Sequence, residues 1–166
     1  LPPATIFRYD LRSAALEPFH APDSKFDASR YETRALFYQS RDGTKIPIFV
    51  TLRKGTALDA SHPTVLSGYG GFNVSEIPWF SPAVAGWLDL GGVYAVANIR
   101  GGGEYGKEWH EAGKQERRQN AFDDFIAAAN FLVREKYTTS SRLAIEGGSN
   151  GGLLVAATMI QQPALF

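Results

Sequence analysis

The sequence predicts an α/β fold built on a mixed sheet, and three observations predict it. Two alternating strand patterns, 34–40 and 46–53, are joined by the turn signal Arg41-Asp42-Gly43-Thr44. After them, short apolar runs alternate with helical patterns, as strand–helix–strand units do. Near the C-terminal end, Gly147, Ser149 and Gly151 stand in a G-x-S-x-G pattern between a β-prone run and a small-residue helical run.

Residues 5–11 alternate like a short strand, and 15–19 follow a polar turn as a second one. Pro22-Asp23-Ser24 then reads as a linker. This stretch is too short to bury itself and is expected to belong to a neighbouring β domain. The alternating pair 34–40 and 46–53 forms an antiparallel hairpin. Residues 63–67 form a short buried strand that runs into Gly68-Tyr69-Gly70-Gly71-Phe72-Asn73. Residues 81–90 read as a helix, with Val84, Trp87 and Leu88 apolar, closed by Gly91-Gly92. Residues 93–99 are almost wholly apolar, as in a strand covered on both faces. The strongest helix spans 120–137, where Phe122, Phe125, Ile126, Ala129, Leu132 and Val133 make one stripe. Residues 143–146 form a strand, the serine turn follows, and 152–161 form a helix ended by Pro163. No internal repeat or low-complexity segment interrupts this order.

Composition narrows the function. At 166 residues, 44% hydrophobic and 20% charged, the chain can build a core and is not disordered. Its formal net charge is zero and no basic run stands out, so neither nucleic acid nor a membrane surface is expected as a partner. No apolar run approaches spanning length. The absence of cysteine excludes disulfides, thiolate catalysis and cysteine-ligated metal. Leu1-Pro2-Pro3-Ala4 has neither the basic nor the apolar region of a secretory leader. The chain starts without methionine and stops one helix after the serine turn, so it is expected to be a piece of a longer polypeptide.

The serine turn carries the chemistry. G-x-S-x-G between a strand and a helix is the nucleophile elbow of the α/β-hydrolase fold, in which a sharp turn lifts a serine hydroxyl above the sheet. Glycines flank it because strand and helix approach closely there. Ser149 also sits at a helix start, where free N–H groups favour developing negative charge. The bland alternative is a glycine-rich loop with a passive serine. The fold class is therefore read as the N-terminal half of an α/β-hydrolase mixed sheet.

A serine needs a base and oxyanion donors. In this fold the order is Ser, then Asp or Glu, then His. None of the residues after Ser149 is Asp, Glu or His. His20, His62 and His110 precede the serine and read as structural or exposed. Asp123-Asp124 do not face one site on a helix, and read as a charge pair near its N-terminus. One oxyanion donor is the N–H of Asn150. The second comes from the loop after the third strand of the fold, where either a glycine amide or the Tyr69 hydroxyl could supply it.

Four motifs, in this order and spacing, resemble the prolyl oligopeptidase family. They are Gly68-Tyr69-Gly70-Gly71-Phe72-Asn73, then Asn98-Ile99-Arg100-Gly101-Gly102-Gly103-Glu104-Tyr105-Gly106 with Trp109-His110, then Gln119-Asn120-Ala121-Phe122-Asp123-Asp124-Phe125, and Gly147-Gly148-Ser149-Asn150-Gly151-Gly152-Leu153-Leu154. The resemblance implies a serine endopeptidase that cuts short peptides on the carboxyl side of proline through an acyl-enzyme on Ser149. It implies that Tyr69 completes the oxyanion hole with the Asn150 amide, and that Phe72 is an aromatic wall of the proline pocket. It assigns Arg100 and its glycines no chemical step. It implies no metal and no cofactor, a monomer, and a cytoplasmic setting with the periplasm as the alternative. Residues 1–28 resemble the last strands of the family's β-propeller with its link, and 29–166 part of the catalytic domain. The triad Asp and His are expected downstream of Phe166. The alternatives are an oligopeptidase B-like peptidase, an esterase of the same fold, and a truncated relic without activity.

Overall fold

The computed structural model describes residues 3–23 and 25–166. Ser24 of the expected linker, and Leu1 and Pro2 of the N-terminal stretch, lie outside them. Strands β1 (Ile6–Asp10) and β2 (Ala15–His20) pair as an antiparallel hairpin. The Asp10 carboxylate closes its turn by accepting the N–H groups of Arg12 and Ser13. Every residue of both strands is exposed, including Phe7, Leu16 and Phe19. A two-stranded ribbon with both faces open buries almost nothing, as its sequence suggested.

Strands β3 (Tyr31–Gln39) and β4 (Lys45–Arg53) form the predicted hairpin in continuous antiparallel register. Gly43 takes φ +83° in the turn with open space around it, so backbone conformation alone explains that glycine. β3 begins three residues before the predicted start, because Tyr31 is buried, stacks on Phe26 and donates its hydroxyl to Asp89.

The remaining elements are β5 (Thr64–Gly68), α1 (Pro82–Asp89), β6 (Val93–Ala97), α2 (Lys107–Glu111), α3 (Arg118–Arg134), β7 (Leu143–Glu146) and α4 (Asn150–Gln161). The sheet order is β3-β4-β6-β5-β7. β3, β4 and β6 pair antiparallel, whereas β6, β5 and β7 pair parallel. This is the mixed sheet that the sequence predicts.

α1 keeps its predicted limits. Ser81 caps it by accepting the Val84 N–H, Pro82 occupies the first turn, and Gly91 at φ +88° closes it. α3 starts at Arg118 and stops at Arg134, three residues before the predicted end. Lys136 takes φ +61° while the Tyr137 N–H returns to the Leu132 carbonyl. That left-handed stop is of the kind usually made by glycine, so a lysine there gave no signal. Its buried face holds Ala121, Asp124, Phe125, Ala128, Phe131 and Leu132, whereas Phe122, Ile126 and Val133 of the predicted stripe are only half-buried.

The core lies on one face of the sheet. Alternate residues Ile46, Ile48, Val50 and Leu52 of β4, with Leu66, Val93, Ala95 and Ala97, are buried under α3 and Leu154 of α4. Tyr94 and Val96 on the other face of β6 are half-buried, so the strand is covered fully on one face and partly on the other. That face, with α1 beside it, borders a cavity of about 780 Å³. There Tyr94 donates to Glu146, and burial followed by that hydrogen bond pushes its hydroxyl up to about 12.

Candidate active site

β7 ends at Glu146 and α4 begins at Asn150, which leaves three residues to reverse direction. Ser149 absorbs the turn at φ 54°, ψ −117°. A residue with a Cβ held there costs about 1–3 kcal/mol and persists only where its surroundings enforce it. The surroundings do so through two glycines. A Cβ on Gly147 would lie 2.4 Å from the Gly151 carbonyl oxygen, and one on Gly151 would lie 2.7 Å from that of Gly68. The first contact presses the strand end against the helix, and the second presses the helix against the end of β5. Gly148 has nothing within 4 Å and Gly152 nothing nearer than 3.7 Å, so their side-chain positions are open.

Ser149 is exposed, and among the described residues its hydroxyl has no hydrogen-bond partner. It precedes the first turn of α4, whose N–H groups have no acceptor within the helix. The N–H groups of Gly151 and Gly152 bond the carbonyls of Gly148 and Ser149, so among the described residues the Asn150 N–H is the one left beside the free hydroxyl. A serine hydroxyl beside such a donor can attack a carbonyl and have the resulting oxyanion held, given a base.

Tyr69 follows β5 directly and is half-buried. Its hydroxyl has no hydrogen-bond partner among the described residues, so no local contact satisfies it. Its carbonyl accepts Asn150 Nδ2 at 2.5 Å, which ties the loop after β5 to the start of α4. Gly71 makes room for this bond, since a Cβ there would lie 2.4 Å from Asn150 Nδ2. Asn150 thus has a side-chain task as well as the backbone one read from the sequence. Its Oδ1 accepts Arg118 Nη2 at 3.1 Å, and Arg118 Nη1 donates to the Gly70 carbonyl.

Phe72 stands on the same loop at φ 53°, 75% exposed, with Asn73 at φ 58° after it. The loop is fastened from behind. Asn73 N–H reaches the Gly101 carbonyl, and Gly103 N–H that of Val74. Glu104 Oε1 accepts the Glu76 N–H at 3.0 Å and Asn98 Nδ2 at 3.2 Å. Burial, and then the Glu104 carboxylate, raise the Glu76 pKa.

The histidines stand apart from the serine. His20 is exposed on β2, His62 lies between the carbonyls of Ala57 and Gly91, and His110 Nδ1 is 2.6 Å from the Gly101 carbonyl. None bonds Ser149.

Asp124 corrects the reading of Asp123-Asp124 as a charge pair near a helix N-terminus. It is fully buried and accepts Arg100 Nε at 2.9 Å, Arg100 Nη2 at 2.6 Å and Ser40 Oγ at 2.5 Å. Arg100 Nη1 reaches Asp42 in the β3–β4 turn at 2.5 Å. Burial opposes the Arg100 charge, but the two carboxylates outweigh it and raise its pKa. Asp42, in turn, is held down to about 2, chiefly by its hydrogen bond from Arg100. Asp123 is half-buried, accepts Gln119 Nε2 at 2.8 Å and lies 4.0 Å from Arg41 Nη1.

Arg118, Glu104 and Asn98 escaped sequence reasoning as site-supporting residues. Arg118 belongs to the charged run Glu116-Arg117-Arg118, which has no mark to distinguish it from a solvated face.

A strained serine between strand and helix, over a parallel β6-β5-β7 arrangement, defines the α/β-hydrolase class. The sequence profile of the prolyl oligopeptidase family matches residues 78–166, and the chain belongs to that family. The prolyl endopeptidase of Elizabethkingia miricola is 48% identical over 163 residues, covering 98% of this chain and 23% of that protein. A solved structure from an analysis of two prolyl endopeptidases superposes with TM-score 0.94 at 51% identity, over 99% of this chain and 24% of that one. A post-proline cleaving enzyme from Rickettsia typhi superposes with TM-score 0.93 at 41% identity, again over 99% of this chain and 24% of that one. The chain therefore spans less than a quarter of the length of these relatives.

Proposed function

We propose that the protein carrying this segment is a serine endopeptidase that hydrolyses short peptides on the carboxyl side of proline. The observation that carries this reading is Ser149 at φ 54° at the turn between β7 and α4, its hydroxyl free among the described residues. A base removes the Ser149 proton as the hydroxyl attacks the carbonyl carbon of the proline residue itself. The Tyr69 hydroxyl and the Asn150 N–H hold the oxyanion. The amine leaves with a proton from the same base, and water releases the acyl group from Ser149. Phe72 offers a flat apolar wall to the pyrrolidine ring. Residues 150–166 contain no Asp, Glu or His, so in this reading the base and its partner lie outside the segment.

Residues 1–28 are read as the end of a β-propeller with its link and 29–166 as part of the catalytic domain, which the fully exposed β1–β2 hairpin supports. The proposed partners are short proline-containing peptides and the proposed state is a monomer. The proposed setting is cytoplasmic, with the periplasm as the alternative. The test is cleavage of a prolyl reporter by the full-length protein and its Ser149→Ala variant. Loss of turnover is expected, and unchanged cleavage by the variant would overturn the assignment.

A further inference from the structure

The interior of the protein holds two arginines in opposite electrostatic states. Arg100 is neutralised by Asp124 and Asp42. Arg118 is half-buried, and among the described residues no carboxylate lies within ion-pair distance of it. Its Nη1 donates to the carbonyls of Gly70 and Gly113, its Nη2 donates to Asn150 Oδ1, and its Nε is buried without a partner. The guanidinium lies over the Phe122 ring, 5.2 Å from its centre. Burial lowers its pKa, with no acidic neighbour to offset that.

A half-buried cation with no counter-charge is costly. Its hydrogen bonds indicate what it does. Arg118 bonds the amide of Asn150, whose Nδ2 bonds the carbonyl of Tyr69, while Arg118 also bonds the carbonyl of the next residue, Gly70. The ring closes on the two residues that supply the proposed oxyanion donors. We propose that Arg118 is a positioning residue for the oxyanion hole, fixing the Tyr69–Gly70 loop and Asn150 relative to each other and placing an unneutralised positive charge beside them. The inference rests on the reading of Ser149 as the nucleophile. Displacement of such donors by about 1 Å costs about 10²-fold in rate.

The test uses the full-length protein and the variants Arg118→Ala, Arg118→Gln and Arg118→Lys. Arg118→Ala is expected to lower kcat on a prolyl reporter by about 10²-fold with KM within about twofold, because the loss falls on the transition state. A peptide aldehyde, whose adduct oxygen enters the hole, should lose affinity by the same factor. The matching peptide alcohol, which forms no adduct, should not. Arg118→Lys, which keeps the charge and a donor, should recover most of kcat. Unchanged kcat in Arg118→Ala would overturn the inference, as would equal losses for aldehyde and alcohol. Should Arg118→Ala not fold, Arg118→Gln carries the same comparison.

Phosphonylation of Ser149 by a fluorophosphonate, which needs no proline, separates this inference from the substrate reading. A wild type that is phosphonylated yet cleaves no prolyl substrate would sink that reading alone. Arg118→Ala must still slow phosphonylation, or the Arg118 inference falls. A wild type inert to both would overturn both.

Discussion

Gly151 in the first turn of α4 packs directly on the backbone of Gly68 at the end of β5, with room for no Cβ between them. In a helix, alanine is favoured over glycine by about 1 kcal/mol. At Gly151 that gain is outweighed, since the Cβ would sit 2.7 Å from a carbonyl oxygen that cannot turn away. Gly151→Ala is therefore expected to lower both the melting temperature and Ser149 reactivity. Gly152→Ala, whose Cβ meets nothing nearer than 3.7 Å, is expected to be neutral or to stabilise by up to about 1 kcal/mol. Melting curves of the two variants, with fluorophosphonate labelling rates, check the contrast. Equal behaviour would mean that the helix–strand contact does not set the elbow.

The Tyr69 hydroxyl has no local partner, so removing it breaks no hydrogen bond among the described residues. Tyr69→Phe is expected to leave the melting temperature of the full-length protein unchanged. It should lower kcat by about 10²–10³-fold, the usual effect of losing one oxyanion donor. Steady-state kinetics on a prolyl reporter decide this. A stable variant with full kcat would leave the second donor to a glycine amide of the same loop.

Asp124 bonds Arg100 through both its oxygens in the core, joining α3 to the end of β6. Asp124→Leu alone leaves a buried guanidinium without its main counter-charge, and a loss of about 3–5 kcal/mol is expected. Arg100→Met combined with Asp124→Leu removes both charges and should destabilise less than Asp124→Leu alone. Chemical denaturation of the three proteins measures this. A double variant worse than the single would show that Asp42 and Ser40, not the charge balance, depend on the pair.

Asp42 gives the same network an acid limb. Its hydrogen bond from Arg100 holds it at about 2, below the ordinary aspartate value of 3.8, so its stabilisation is fully present above pH 3.8. It is lost as pH falls through about 2. The carboxylate is partly exposed, so the effect is modest and screened by salt. Melting temperature against pH should show a smaller drop between pH 4 and 2 for Asp42→Asn than for the wild type, and parallel curves would refute the linkage.

What the sequence made legible is what rests on period and on punctuation. β4 alternates, α1 has Ser81 and Pro82 before it and Gly91 after it, and the elbow is spelled in glycines, so all three were found. α2 is five residues long, too short for a helical period to show. The end of α3 was hidden because Lys136 adopts the left-handed stop normally left to glycine. Asp124 was misplaced because its carboxylate is buried only by virtue of Arg100, a partner 24 residues away. Arg118 was missed for the same reason. Its neighbours Gly70 and Asn150 are 48 and 32 residues distant, and no local pattern announces them.

Phe72 brings these observations to the substrate. Its side chain is 75% exposed, whereas the loop beneath it is held by Gly101, Glu104 and Asn98. An aromatic ring left in water on a fastened loop contributes little to stability, so Phe72→Ala should melt with the wild type. If the ring is a wall of the proline pocket, its removal should raise KM for a prolyl reporter by about tenfold or more, the range for part of an apolar side-chain contact. A simple ester without proline should lose much less, because it shares the elbow and oxyanion donors but not the wall. Kinetics on both substrates in the full-length protein separate the roles. Equal losses on the two would place Phe72 with the oxyanion loop's geometry, and no loss on either would remove it from the site.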